Sequence, residues 1–574
     1  MARVLASRQL VFEKVRLAVL DGSSAERAVR FATVVLVALG LWLRCRGYLL
    51  STTPLWLDEA NWAIRLIDKP LVEHLIRPIG FMAVSKGLVK AFSPSETVLR
   101  FLPWCAGMAT VLMAPALAAR LFRSAAARLL FIGILCLHPS AIDLSKEFKP
   151  YSFGLALHVG MMLLVLRYCG SGRARDLAWA LAVIGLSVLF AQDTMFAFPG
   201  LFLVLAIEAV RTRRYRHLVA TAVAALVCLA AIASLYFFVW SRINSSKESK
   251  YWGRKYDVFY VPSKSGPNKV EWIVDRYSAL VESAGARREV WESRRLSTDT
   301  LGELGSADQA VWLTLDVVGL YLIARRRSGR DALLFVMPLA VTGLLNWFGF
   351  WPFGPFRTNL FTLVYAAAIA SVAVDRDARR VRFLDLLPVG ILVLLPLFAF
   401  ERRWHANKEM LTMTNPSDFT DAFKELLRSQ GPAYSGPREK LLVDNMGCDP
   451  WRYYTKYQPT FSKTWGSQLR KRFSFRCTGG PDRAQALLSF ARKTLRRRPR
   501  VWILATDDRV IEDFDQNWPE DLHKDVLVRV GNNDHLIVAV TLPAAEPPPP
   551  PVPVEPPPSA ETPGDPEPDT HDIP

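Results

Sequence analysis

Apolar residues in this chain come in long blocks broken by short charged turns rather than alternating with charge, the pattern of segments that cross a bilayer. Asking for about 17 to 25 apolar residues per crossing gives spans at about Arg30 to Tyr48, Phe101 to Ala119, Leu129 to Leu144, Ser152 to Leu166, Leu177 to Ala191 and Met195 to Ala209. Five more follow at Leu218 to Trp240, Gln309 to Ala324, Ala332 to Phe350, Asn359 to Val374 and Phe383 to Phe400. With eleven spans, the clusters Arg120/Arg123/Arg128, Arg211/Arg213/Arg214/Arg216, Arg325/Arg326/Arg327/Arg330 and Arg376/Arg379/Arg380/Arg382 all fall on the amino-terminal side. That agreement supports the topology, because one miscounted span would invert every later loop.

The pattern divides the chain into a basic cytoplasmic amino terminus (1–29), a transmembrane domain (30–400), a small α/β domain outside the cytoplasm (401–543) and a tail (544–574). Met1 to Arg30 is amphipathic, and no small-residue cleavage site follows Phe31 to Leu43, so the first span is read as retained. Outer loops run over about 49–100 and 241–307. Within the first, Leu71 to Phe92 carries His74, Arg77, Lys86 and Lys90, which suits helices lying along the interface. After Phe400, helical periodicity at Asp421 to Arg428 and Ala484 to Arg496 alternates with strand-like Lys440 to Asp444 and Arg500 to Ala505. A hairpin is expected from Val526 to Val530 and Leu536 to Thr541, turning at Asn532-Asn533-Asp534. From Pro543 the chain is rich in Pro and Glu and cannot bury a core. The fold class is therefore mainly α, a polytopic helical bundle with a small carboxyl-terminal α/β domain.

A formal net charge of +18 would fit a nucleic-acid binder, but the arginines follow apolar segments instead of covering one domain face. The excess is topology, and no nucleic-acid partner is expected. Of seven cysteines, Cys45, Cys105, Cys136, Cys169 and Cys228 lie in or beside apolar segments as packing residues, with no metal-ligand spacing. Cys448 and Cys477 fall in the polar domain, where an oxidising compartment would let them pair.

The stretch that suggests chemistry is Pro54 to Trp62, with Asp58 and Glu59 set between tryptophans just after the first span. Carboxylates are costly to keep at a membrane edge. Asp58 is the leading candidate for a catalytic base; a solvated acidic loop is the plain alternative. The topology brings Glu147 and Lys149, and then Arg357, to the same outer face. Lys149 beside the amino-terminal end of the helix that Pro150 starts, and the planar fork of Arg357 after Pro355, suit an anionic lipid headgroup. A phosphate held there is a leaving group, and a nearby carboxylate can take a proton from an incoming hydroxyl or amine. Pairing of Lys149 and Arg357 merely with Glu147 or with lipid headgroups is the competing reading.

The run Leu57-Asp58-Glu59, then His74-Leu-Ile-Arg77-Pro78-Ile-Gly80, then Ser95-Glu96-Thr-Val-Leu-Arg100-Phe-Leu-Pro103, then Ser145-Lys-Glu147-Phe-Lys149-Pro150-Tyr151-Ser152, resembles the GT-C membrane glycosyltransferases. Among these it is similar to the family 39-like protein O-mannosyltransferases and lipid A aminoarabinose transferases. The similarity covers about the first 210 residues and, weakly, the Arg357 region. It implies a polyprenyl-phosphate-linked sugar donor and an outward-facing site, with Asp58 as base, Glu59 supporting it and Glu147 at the second acidic position. The group implied to hold the donor phosphate is Arg77, Arg100, Lys149, Tyr151 and Arg357. Lys149 stands where the family commonly has arginine, and Arg77-Pro78 replaces the usual His-Pro-Pro or Lys-Pro-Pro. Resemblance to the oligosaccharyltransferases implies that such an acidic cluster can bind a divalent ion; here Asp58, Glu59 and Glu147 are balanced by nearby bases, and metal stays unassigned.

Asp316 sits mid-span, where it either pairs with a neighbouring helix or stays protonated, and it is given no catalytic role; His138 and His158 are read as core histidines, not ligands. Aromatic residues of the 241–307 loop suit either a sugar ring or an interfacial anchor. The reading is an integral, multi-pass membrane glycosyltransferase, with its site and carboxyl-terminal domain on the periplasmic side of a bacterial inner membrane. Its acceptor is a lipid, polysaccharide or protein, and membrane lipid surrounds it. The rivals are an oligosaccharyltransferase or ligase of a larger glycan, and a non-catalytic transporter or scaffold.

Overall fold

The computed structural model describes residues 24–49, 54–241, 268–284, 302–326, 329–354, 357–375 and 417–542, with short gaps in the last range. The expected span at Phe383 to Phe400, most of the 241–307 loop, the hairpin turn 532–534 and the tail 544–574 lie outside the described residues.

The chain opens with α1 (Ser24–Leu49), then α2 (Leu57–Asp68), a short turn at Leu71–His74, and α3 (Ile79–Ala91). Val72, Leu75, Ile76 and Phe92 of this loop are exposed, as an interfacial segment requires. α4 (Glu96–Leu121) starts at Ser95, whose hydroxyl accepts from the Val98 N–H, and it keeps two prolines, Pro103 and Pro115, inside a 26-residue helix.

α5 (Ala125–Leu137) ends where Pro139 begins α6 (Pro139–Asp143). A proline there has no N–H to give and cannot continue the helix, so the span bends by 51°. The carbonyls freed by the break are taken by a buried cation from the first span. Arg44 donates to the carbonyls of Leu135 at 3.2 Å and Cys136 at 2.7 Å. The third expected span is thus a broken one, and its outer half leads directly to Glu147.

α7 (Tyr151–Ser171) ends at Gly172, whose φ of 62° is the left-handed conformation of a helix stop. Then come α8 (Ala174–Ser187), α9 (Phe198–Arg211), α10 (Tyr215–Leu235), α11 (Lys269–Ala284), α12 (Gly302–Arg326), α13 (Gly329–Trp347) and α14 (Thr362–Ala373). Helices cover the first ten expected spans. Among the described residues, Glu26–Arg46, Glu96–Leu121, Tyr151–Ser171, Gln192–Arg211 and Tyr215–Val239 are long and apolar enough to cross a membrane, and the broken pair makes a sixth when taken as one span. α14 is buried along its length and passes so close to α12 that a Cβ on Gly319 would lie 2.1 Å from the Ile369 carbonyl oxygen. Small residues let helix backbones approach this way where lipid offers no hydrophobic drive between them.

The carboxyl-terminal domain begins with α15 (Ser417–Gln430), followed by β1 (Glu439–Val443), α16 (Asn445–Arg452), an irregular helical stretch 453–466 and α17 (Ser467–Arg472). It continues through β2 (Phe473–Cys477), α18 (Arg483–Leu495), β3 (Val501–Ala505), α19 (Asp508–Gln516), β4 (His523–Val530) and β5 (His535–Thr541). The sheet order is β2-β1-β3-β5-β4; β1 runs parallel to β2 and β3, and β5 closes as an antiparallel hairpin with β4. One sheet face, with Leu441, Trp502 and Ile537, packs on α15, α16 and the first outer loop in a single cluster that reaches Phe81 and Phe148. The other face, with Leu442, Ile503 and Val538, is covered by α18 and α19. Cys448 of α16 and Cys477 of β2 form a disulfide.

Candidate active site

Asp58 and Glu59 lie in the first turn of α2, where the unpaired N–H groups favour negative charge. They point to different tasks. Glu59 is buried and clamped: Arg100 of α4 donates to it through Nε at 2.8 Å and Nη2 at 2.5 Å, and the Phe148 N–H donates at 2.6 Å. One carboxylate thus ties the outer loop, the second span and the Glu147–Lys149 segment together. Arg100 also donates to the Pro54 carbonyl at 3.1 Å, so the guanidinium expected to hold phosphate is engaged with the protein.

Asp58 is half-buried and more open than the charged side chains it contacts. Its side chain is 38% exposed, whereas those of Glu147, Lys149 and Arg357 are 4%, 3% and 6% exposed. Asp58 Oδ2 accepts from Arg357 Nη2 at 2.6 Å and lies 3.7 Å from Lys149 Nζ. Burial alone would raise its pKa, but Lys149 and Arg357 outweigh that and hold the carboxyl below its ordinary value.

Glu147 is the opposite case. Its Oε1 accepts from Arg357 Nη1 at 3.4 Å and from the Trp56 indole at 3.2 Å, while its Oε2 is buried without a hydrogen-bond partner. Burial, opposed by Arg357 and assisted by Glu59, pushes this carboxyl up to about 7. Burial likewise pulls the Lys149 ammonium down to about 8 against the attraction of Asp58.

The tryptophans that the sequence offers as interface anchors carry the cations. Arg357 lies over the Trp56 ring at 4.6 Å, and Lys149 and Arg77 lie over the Trp62 ring at 4.3 Å and 4.6 Å. Tyr151 closes the group, with the Arg357 guanidinium 5.8 Å from its ring. The structure therefore gathers Asp58, Glu147, Lys149, Arg357, Arg77 and Tyr151 at one point, with the Glu59–Arg100 pair behind them. Setting that neutral pair aside, three cations face two carboxylates. An added anion would balance the cluster.

Arg44 and Tyr454 are positioning residues that the sequence did not reveal. Arg44 secures the broken span, and the Tyr454 hydroxyl accepts from the Leu55 N–H at 2.6 Å. Of the other residues weighed, Asp316 accepts from the Tyr277 hydroxyl, and His158 Nδ1 lies 2.5 Å from the Tyr365 hydroxyl, its ring stacked on Phe361. Among the described residues no group of three or more His, Cys, Asp or Glu could hold a metal ion. With both Glu59 oxygens taken by Arg100, the donor set at this site does not fit one.

The fold and site define a polytopic membrane protein with an acid–base cluster at the rim of its helical bundle. Residues 77–238 match the family model described as dolichyl-phosphate-mannose-protein mannosyltransferase, and over that stretch the chain resembles the GT-C glycosyltransferases. Among solved structures, the chain is similar to ArnT from Cupriavidus metallidurans in the apo state, with 14% identity over 88% of this chain and 97% of that one and a TM-score of 0.46. The same protein bound to undecaprenyl phosphate gives 13% identity, the same coverage and a TM-score of 0.45. An Archaeoglobus fulgidus oligosaccharyltransferase in complex with Zn and sulfate gives 12% identity over 83% of this chain and 68% of that one, with a TM-score of 0.38. Comparison with curated proteins gives no match.

Proposed function

We propose that this protein transfers a sugar from a polyprenyl-phosphate donor to a hydroxyl or amine acceptor at the outer face of the membrane, with inversion at the anomeric carbon. The observation that carries the reading is the position of Asp58: it is the more open of the two carboxylates in the cluster, and one of its oxygens lies against both Arg357 and Lys149. The matched family model, whose description is of a lipid-phosphate-sugar-dependent transferase, supports the donor class.

A donor phosphate entering beside Arg357, Lys149 and Arg77 takes up the positive excess. As those cations turn toward the phosphate, Asp58 loses the partners that depress its basicity and becomes a better base. The acceptor oxygen or nitrogen then attacks the anomeric carbon, and the bond from that carbon to the phosphate oxygen breaks. Its electron pair leaves with the phosphate, stabilised by Arg357 and Lys149, while the acceptor's proton passes to Asp58. Glu59 and Arg100 hold α2 and the Glu147–Lys149 segment in register, and Tyr151 fixes the far side of Arg357. The disulfide in the carboxyl-terminal domain supports placing that domain and the site in an oxidising compartment such as the periplasm.

The test is Asp58→Asn in the full-length protein with a polyprenyl-phosphate sugar. Transfer is expected to fall by a factor of roughly 10²–10⁴, the usual contribution of a general base, while donor binding persists. Unchanged transfer would remove Asp58 from the reaction.

A further inference from the structure

β1, β2 and β3 run parallel, and each is entered from a basic segment. Arg438 precedes β1, Arg470-Lys471-Arg472 precede β2, and Arg496-Arg497-Arg498-Pro499-Arg500 precede β3. The register sets Glu439 beside Phe473 and Lys440 beside both Ser474 and Val501, so the three starts lie side by side. With neighbouring strands about 4.8 Å apart, they occupy an edge roughly 10 Å wide.

The carboxyl end of β1 passes through Asp444 into α16, and α16 packs on α2, where the Asn61 amide donates to Asp449 at 2.8 Å. The strand starts are at the opposite end from Asp444 and α16; of the edge cations Arg470 comes nearest the Asp58 helix, close enough to act on Lys456, which bonds Tyr457, itself bonded to Asp68 at the far end of that helix.

Several cations elsewhere in this domain have a carboxylate partner: Lys424 with Asp421, Arg428 with Glu425, Arg492 with Asp521, Arg529 with Asp515. At the edge, Glu439 takes Arg500 at 2.7 Å. Arg438, Arg470, Lys471, Arg496, Arg497 and Arg498 are exposed, and among the described residues none has a carboxylate partner. Two of them are fixed by backbone: Arg438 donates to the Phe473 carbonyl at 3.0 Å, and Arg498 to that of Arg438. Burial, and then the charges of Arg476, Arg498 and Arg438, lower the Lys440 ammonium from its ordinary value. A concentration of like charge held in place against its own repulsion is complementary to a multiply charged anion.

We propose that this edge captures the acceptor, and that the acceptor is a polyanionic glycan bearing phosphate or carboxylate groups along its length. The inference rests on the sugar-transfer reading above. The geometry favours a polymer over a lipid headgroup or a small anion. Five-residue strands separate the edge from α16 by about 16 Å, so a ligand held there reaches Asp58 only by extending past the length of the sheet.

The experiment uses the full-length protein in phosphatidylcholine nanodiscs, with fluorescent long-chain polyphosphate and fluorescent polygalacturonate as separate probes. The variant carries R470Q, K471Q, R496Q, R497Q and R498Q; a second replaces each of the four arginines by lysine. Glutamine is expected to weaken binding of at least one probe by about tenfold or more and to flatten its salt dependence, while the lysine variant stays within about threefold. Inorganic phosphate at equal phosphate concentration should not displace the probe. Equal binding of both probes by wild type and glutamine variant overturns the proposal. So does a loss seen only with phosphatidylglycerol vesicles, which would make the edge a membrane contact. The two readings are kept apart in the wild-type protein, where polyanion binding without any sugar transfer sinks the active-site reading and transfer without binding of either probe sinks this one; Asp58→Asn should lose transfer and still bind the probe.

Discussion

The Leu55 N–H donates to the Tyr454 hydroxyl at 2.6 Å, joining the entrance of the Asp58 helix to a residue 399 positions later. Around that bond, Asn61 donates to Asp449, the Tyr453 hydroxyl to the Pro94 carbonyl and Gln458 to Glu96. The carboxyl-terminal domain is therefore a clamp on the loop that carries Asp58. Tyr454→Phe keeps the ring, which packs on Phe461 and Phe423, and removes the acceptor. A buried N–H left without a partner costs about 1–3 kcal/mol, so amide exchange across 55–61 should quicken by roughly ten- to a hundredfold. Transfer should slow with little change in donor affinity. Unaltered exchange in that segment would show that the clamp is not needed.

Arg357 should set where the rate falls on the acid side. It is one of two cations that hold Asp58 below the ordinary carboxylate range, against the effect of burial. Arg357→Gln removes one of them, so Asp58 takes up its proton at higher pH, and the acid limb of kcat/KM should move upward. Donor KM should rise by about tenfold or more, because the guanidinium fork proposed to hold the donor phosphate is removed as well. Arg357→Lys keeps the charge without the fork and should shift the limb less. A limb that stays in place in the glutamine variant would mean that Asp58 is not the group reporting there.

Donor affinity should depend on pH through Glu147 and Lys149. The Glu147 carboxyl is raised to about 7 and the Lys149 ammonium lowered to about 8, in both cases mainly by burial. Below pH 7 Glu147 is increasingly neutral and the cluster more positive; above pH 8 Lys149 loses its charge. The donor KM should therefore climb as pH rises from 6 to 9. Glu147→Gln should flatten the lower part of that rise, leaving the upper part. For stability the sign follows the protons: a raised carboxyl pKa favours the folded state at low pH, and that advantage fades between about 4.3 and 7. A KM independent of pH across this range would place donor phosphate away from the pair.

The broad architecture was legible because bilayer crossing needs long apolar runs and because arginine clusters record the side on which each run ends. The candidate acids and bases were legible too, since Asp58, Glu147 and Lys149 stand out at span edges. Their division of labour was not. That Glu59 engages Arg100, while Asp58 is left facing Arg357 and Lys149, depends on which way adjacent residues of one helical turn point, and adjacency alone does not decide it. Trp56 and Trp62 fit an interface belt equally well, and only packing shows cations on their faces. Arg44 was hidden by its place inside a span, because its partners are carbonyls exposed by a break at Pro139. β2 was missed because Phe473-Ser-Phe-Arg-Cys477 is short and mixed, and it is recognisable only beside β1.

The Cys448–Cys477 bond links α16 to β2 across a sequence separation of 29 residues. A closed loop of that length removes chain entropy from the unfolded domain worth about 3–4 kcal/mol. Cys448 adjoins Asp449, which holds Asn61 in the helix of Asp58, so the bond stabilises the clamp as well as the sheet. Intact-mass measurement after alkylation of the denatured, unreduced protein should find five modified cysteines, matching Cys45, Cys105, Cys136, Cys169 and Cys228. Alkylation after reduction should find all seven. The Cys448→Ser/Cys477→Ser double variant should unfold its carboxyl-terminal domain at lower urea, followed through Trp451 and Trp502, which are buried in that core. Seven modified cysteines without reduction would remove both the bond and the support it lends to an oxidising compartment; an unchanged urea midpoint would confine its role to something other than stability.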